Sequence, residues 1–166
     1  MTFATLNTVV AFTFMALTVS SAQTSKIDVY TAEQLTASST KAALKPGETP
    51  SVLEHYPNHY TMLITRRDNG QSELHEHVAD VFFVAGGSAQ LWTGGSMQND
   101  KVTEPGEHRG SGLFGASVVS LKRGDLVHIP ANVPHQLRLA PGDTFTYFVV
   151  KVHEDSAIAP LPKPSR

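Results

Sequence analysis

Hydrophobic residues of the second half of the chain fall largely in short runs bounded by turn residues, a pattern that belongs to strands rather than helices. The clearest case is Thr144–Val152. There Phe145, Tyr147, Val149 and Lys151 fall on one face, and Thr146, Phe148, Val150 and Val152 on the other. Its aromatic and β-branched content suits a pleated, half-buried surface. Shorter segments of the same kind run over Thr61–Thr65, Ser88–Thr93, Gly115–Lys122 and Leu126–Ile129. They are separated by turn residues such as Asn69-Gly70, Gly86-Gly87, Gly124-Asp125 and Pro141-Gly142-Asp143. Many short strands with no internal repeat predict an all-β domain of the jelly-roll type.

Both ends of the chain depart from this pattern. Residues 1–25 carry no charged side chain, Val9–Val19 is a compact apolar run, and Ser20-Ser21-Ala22 supplies small residues after it. That is the pattern of a secretory signal peptide over residues 1–22, and the apolar run is too short to span a bilayer as a helix. Cleavage after Ala22 would give a secreted or periplasmic protein beginning at Gln23. Residues 23–59 have no core pattern and read as an N-terminal arm, with a short helix expected over Ala32–Ala37. Thr31 and Gln34 are spaced there as a capping box. The barrel itself is expected over residues 60–153. Residues 154–166, with Pro160, Pro162 and Pro164, form an extended tail.

Composition narrows the function. With 13 basic and 15 acidic residues and no block of like charge, nothing points to nucleic acid or a membrane surface as partner. The chain has no cysteine, so it has neither disulfides nor thiolate ligands and must be held by burial and hydrogen bonding.

Candidate chemistry gathers in two stretches. In Glu73–Gly87 an extended strand would put Glu73, His75 and His77 on one side. After a reversal at Val78-Ala79, Asp80, Phe82 and Val84 would share a face opposite the histidine pair. Two imidazoles and a carboxylate make a first shell for a borderline or hard divalent metal; the alternative is a histidine pair on a solvated strand. In Gly124–His135, Pro130-Ala131-Asn132 breaks a short strand, and Asn132 enters the left-handed region cheaply. His135 then opens a strand whose face it shares with Leu137 and Leu139.

Together these stretches resemble the cupin superfamily. Its first motif is glycine, five residues, His-x-His, three or four residues, glutamate, six residues, glycine. Its second is glycine, five residues, Pro-x-Gly, two residues, histidine, three residues, asparagine. The chain offers His75-x-His77, then Asp80, six residues and Gly87, followed by Gly124, five residues, Pro130, Asn132 and His135. Asp80 replaces the glutamate and follows His77 after two residues, Gly70 lies one residue closer to His75 than the pattern asks, and Leu139 takes the asparagine slot. The resemblance, over residues 60–152, implies a double-stranded β-helix (jelly-roll) barrel holding a metal through His75, His77, Asp80 and His135. It implies no single reaction, because cupins include oxygenases, isomerases, decarboxylases, sugar-binding proteins and metal-free regulators.

Three imidazoles and one carboxylate would leave two positions open on octahedral Mn or Fe and none on tetrahedral zinc. Mn or Fe is therefore favoured, with Ni, Zn and Cu still admitted. Phe82, Val84, Leu137 and Leu139 would give an apolar wall suited to a small organic ligand. Glu73 is a replacement fourth ligand, a general base or a residue of the solvated mouth, and His128 a hydrogen-bonding wall residue; these two are the candidate catalytic groups. The expected function is a metal-dependent enzyme for oxidation, isomerisation or hydrolysis of a small molecule, or else a non-catalytic metal or small-molecule binding protein. Residues 94–115, with six glycines, read as a long irregular segment. It either arches over the barrel mouth through Glu107, His108 and Arg109 or is simply solvated. A homodimer is expected, with the arm covering an exposed sheet edge.

Overall fold

The computed structural model describes residues 27–154; the expected signal peptide and the tail from residue 155 lie outside the described residues. Helix α1 (Ala32–Ala42) starts where the capping box places it. The Thr31 hydroxyl accepts from the Gln34 backbone N–H, and the Gln34 side chain accepts from the Thr31 N–H. It runs beyond Ala37 because no proline or glycine interrupts the chain before Pro46-Gly47. The helix buries none of its own residues, and lies over the outer face of the second strand.

Strand β1 (Glu48–His55) pairs antiparallel with β2 (His59–Arg66). The second half of the expected arm is therefore an edge strand of the barrel. There follow β3 (Ser72–His75), β4 (Val78–Gly86), β5 (Ser88–Thr93), β6 (Ser96–Gln98), β7 (Lys101–Glu104), β8 (Glu107–Gly110) and β9 (Gly112–Phe114). The chain continues through β10 (Ser117–Lys122), β11 (Leu126–Ile129), β12 (His135–Arg138) and β13 (Phe145–His153). One sheet has the order β1-β2-β13-β4-β11 and the other β10-β5-β12-β3-β8-β7, while β6 and β9 pair separately.

Residues of both large sheets share one core. Ile64, Phe82, Val84, Phe145, Tyr147 and Val149 come from the first sheet, and Leu91, Leu121 and Leu137 from the second. On β13 burial alternates as the sequence demands, and the inward row Phe145, Tyr147, Val149 ends in buried Lys151. The turn between β4 and β5 depends on Gly87, whose φ is +77°, and a Cβ there would strike the Thr144 carbonyl oxygen.

The segment 94–115 is not irregular, contrary to the sequence reading: it holds four short strands. In particular β8 pairs in register with β3, Glu73 opposite Arg109 and His75 opposite Glu107. No apolar period marks β8 because its inward residues face a charged cavity rather than the core.

Candidate metal centre

Strands β3 and β12 are neighbours, and Glu73 stands directly opposite His135. His75 follows Glu73 by two residues and so shares its face. In the facing sheet, Asp80 on β4 stands opposite Lys151 on β13. These five side chains meet at one end of an internal cavity of about 190 Å³, whose other walls include Met62, Ile64, Phe82, Leu137 and Val149. The cavity thus has both charged and apolar walls.

Ligand atoms of Glu73, His75 and His135 all lie within 4.8 Å of one another. His75 Nε2 is 3.6 Å from Glu73 Oε2 and 3.8 Å from Asp80 Oδ2, and His135 Nε2 is 3.7 Å from Asp80 Oδ2. The outer nitrogen of each imidazole is fixed. Nδ1 of His135 donates to the Val133 carbonyl at 3.0 Å, since a carbonyl can only accept. The Lys151 ammonium donates to His75 Nε2 at 2.8 Å, so Nδ1 of His75 carries the proton and donates to Glu107 Oε2 at 2.6 Å. Both inner nitrogens therefore present lone pairs to the same space, with a carboxylate and a carbonyl holding the tautomers from behind.

Electrostatics favour the same state. Deep burial pushes the His135 pKa down, against the neighbouring Asp80 and Glu73 carboxylates, and keeps the ring neutral. Burial raises the Glu73 pKa, but the Arg109 guanidinium and then the other cations around it outweigh burial and hold the carboxyl below its ordinary value. Two neutral imidazoles and an ionised carboxylate are the protonation states that a divalent ion requires. The donor set fits such an ion: nitrogen and oxygen only, on rigid strands, with protein groups behind both rings.

Not every expected residue arrives here. His77 lies outside the cavity with 76% of its side chain exposed, its Nε2 3.7 Å from Glu76. The cause is local: β3 ends at His75 and the chain bends through Glu76-His77, so the alternation that would have turned His77 inward stops one step early. His128 is exposed on β11, between half-buried Val127 and buried Ile129, and does not line the cavity. Glu73, His75, Asp80 and His135 do. Asn132 adopts φ +63° as its place in the turn requires. Lys151, Arg66 and Glu48 also line the cavity and were assigned no site role from the sequence. Parity could have found two of them, since Lys151 continues the inward row of β13 and Arg66 that of Met62 and Ile64.

These positions move the first motif by two residues. Glu73-x-His75 occupies the His-x-His place, four residues intervene before Asp80, and six more before Gly87. The spacing to Asp80 that was short from His77 becomes regular from His75, while the opening glycine position falls on Arg67, and the two motifs lie on paired strands, β3 with β12 and β4 with β11. The fold is a jelly-roll barrel of antiparallel sheets, the architecture that the resemblance implies.

No protein-family model matches the chain, and no curated protein sequence matches it. Solved structures with similar backbones include a protein with a double-stranded β-helix domain, a cupin domain and KdgF. One is an uncharacterized conserved protein from Klebsiella pneumoniae subsp. pneumoniae MGH 78578 with a double-stranded β-helix domain (16% identity, covering 67% of this chain and 81% of that chain, TM-score 0.49). KdgF from Halomonas sp. aligns at 15% identity over 69% of this chain and 87% of its own, with a TM-score of 0.47. The cupin domain of Schizosaccharomyces pombe Cnp3 aligns at 9% identity over 66% of each chain, with a TM-score of 0.48. On the inner face of this barrel Glu73 stands beside the two histidines, and Lys151 lies among the candidate donors.

Proposed function

We propose that this cupin barrel binds a divalent metal ion through Glu73, His75 and His135, with Asp80 as fourth donor, and acts on a small organic molecule beside it. The observation that carries the reading is the pair of tautomers. His75 and His135 are each tied at Nδ1, so their Nε2 atoms are the ones left for an ion beside the Glu73 carboxylate, with that of His75 accepting from Lys151 in its absence. A set of two imidazoles and one carboxylate leaves positions open on Mn or Fe, the ions that oxygen and nitrogen donors of this kind suit, with Ni, Zn or Cu as alternatives. The bound ion would supply Lewis-acid polarisation of an oxygen-bearing ligand.

The surrounding residues set the ligand's size and orientation. A cavity of about 190 Å³ is smaller than the roughly 300–1,000 Å³ of common ligand sites, which favours a molecule of few atoms. Phe82, Leu137 and Val149 exclude water from its apolar part. At the rim Arg109, paired with Glu107 at 3.1 Å, offers a guanidinium to a polar or anionic end. The reaction is oxidation, isomerisation or hydrolysis; a purely binding role is the alternative.

The test is calorimetric titration of Mn(II), Fe(II), Ni(II) and Zn(II), paired with elemental analysis of the protein purified from its own host. One equivalent of metal is expected, lost in His75→Ala and His135→Ala and retained in His77→Ala and His128→Ala. Failure of all four ions to bind would overturn the reading.

Export and assembly are proposed with it. The uncharged apolar N-terminus supports a mature start at Gln23, and an intact mass retaining Met1 in secreted material would contradict it. The exposed sheet edges support a homodimer, and a monomer mass in light scattering at micromolar protein would contradict that.

A further inference from the structure

We infer that Lys151 is a built-in occupant of the metal position, so that a divalent ion enters only by displacing its ammonium from His75 and Asp80. The inference rests on the metal reading above and adds a residue that competes for the site. Lys151 Nζ lies 2.8 Å from His75 Nε2 and 2.7 Å from Asp80 Oδ2, two of the four donors assigned to the ion. An imidazole nitrogen has one in-plane lone pair. His75 Nε2 cannot accept from the ammonium and ligate a metal at the same time.

The placement is built into the sheet. Lys151 stands opposite Asp80 in the β4–β13 ladder and shares the inward face of Phe145, Tyr147 and Val149, so register and pleat direct its stem into the barrel. Its side chain is only 10% exposed. Such a cation needs a buried partner, and Asp80 supplies it. The match is incomplete, because Asp80 Oδ1 is buried with no hydrogen-bond partner among the described residues. One ammonium therefore leaves part of that carboxylate's capacity unused, and an ion of higher charge can claim it.

The charges around the cavity agree. Arg66, Arg109 and Lys151 face Glu48, Glu73, Asp80 and Glu107, so with neutral imidazoles the lining falls one positive charge short of balance. Lys151 keeps the metal-free barrel close to neutral. A divalent ion that replaces the ammonium at His75 and Asp80 carries one more positive charge to the same place. Lys151 thereby sets a threshold: ions that bind weakly leave the ammonium in position, and ions that bind strongly expel it.

The test is titration of Mn(II) into the full chain and its Lys151→Met variant, with melting temperatures recorded with and without the ion. Lys151→Met should bind Mn(II) about tenfold more tightly or better, since displacement no longer breaks a hydrogen bond to a charged group. It should also melt below wild type without metal and gain more on Mn(II) addition. Asp80→Asn and Asp80→Asn/Lys151→Met provide a second comparison that leaves no buried carboxylate unpaired, should the single variant fail to fold. The double variant should bind more tightly than Asp80→Asn. Wild type that binds Mn(II) while loss of Lys151 leaves affinity unchanged or weaker would overturn the inference and leave the metal centre standing. If neither wild type nor any Lys151 variant binds, the inference and the metal centre fall together.

Discussion

Glu107 Oε2 lies 2.6 Å from His75 Nδ1, so a carboxylate on β8 fixes the ring of a histidine on β3 at the edge opposite Nε2. The contact follows from register, since Glu107 and His75 are direct cross-strand partners. Arg109 in turn holds Glu107 at 3.1 Å. The glycine-rich segment 94–115 therefore reaches the candidate centre through a paired strand.

Loss of that support should be measurable without an assay of turnover. Glu107→Ala should weaken Mn(II) binding by about 10–100-fold, the usual effect of removing a group behind a ligating histidine. Glu107→Gln should lose less, because the amide oxygen still accepts from Nδ1–H. Calorimetry distinguishes these, and an Ala variant equal to wild type would show that the carboxylate orients nothing.

A separate ion-paired histidine sets a pH dependence at the rim. His108 is bound by Glu76 at 3.1 Å and by Asp100 at 3.1 Å, and these hydrogen bonds raise its pKa above the ordinary value. The folded form thus favours the charged ring. The stability this contributes is fully present below about pH 6.5 and fades as pH rises through the raised value. Melting curves from pH 5.5 to 8.5 should show the difference between wild type and His108→Gln shrinking with increasing pH. A difference that grows with pH would reverse the assignment.

Gly87 is a structural test of the first motif. An alanine there must hold φ at +77° and place a methyl group against the Thr144 carbonyl. Gly87→Ala should cost roughly 1–3 kcal/mol. Gly86→Ala, at a position where a Cβ meets nothing within 4 Å, should cost clearly less. Urea midpoints compare the two, and equal losses would remove the special role of Gly87.

The strand pattern and both motifs were legible in the sequence because a core forces strict alternation. β5, β11 and the inward row of β13 needed no other information. The candidate metal ligands were less legible because the alternation of Glu73, His75 and His77 does not show where the strand ends. Only the end of β3, set by the bend at Glu76-His77, decides that Glu73 and His75 face inward and His77 does not. Segment 94–115 hid its strands for the opposite reason. Its inward residues Glu107 and Arg109 line a charged cavity, so no apolar period marked them. Lys151 was visible by parity, yet a lysine at the end of an apolar row reads as the exposed end of a strand until Asp80 is seen across the ladder.

The most direct test of the metal centre is anomalous diffraction from crystals grown with Mn(II). One strong peak is expected inside the barrel, within bonding distance of His75 Nε2, His135 Nε2 and the Glu73 carboxylate, with the Lys151 ammonium withdrawn from His75. A barrel without a peak, or a peak confined to the rim near Glu76, His77 and His108, would contradict a metal centre in this barrel.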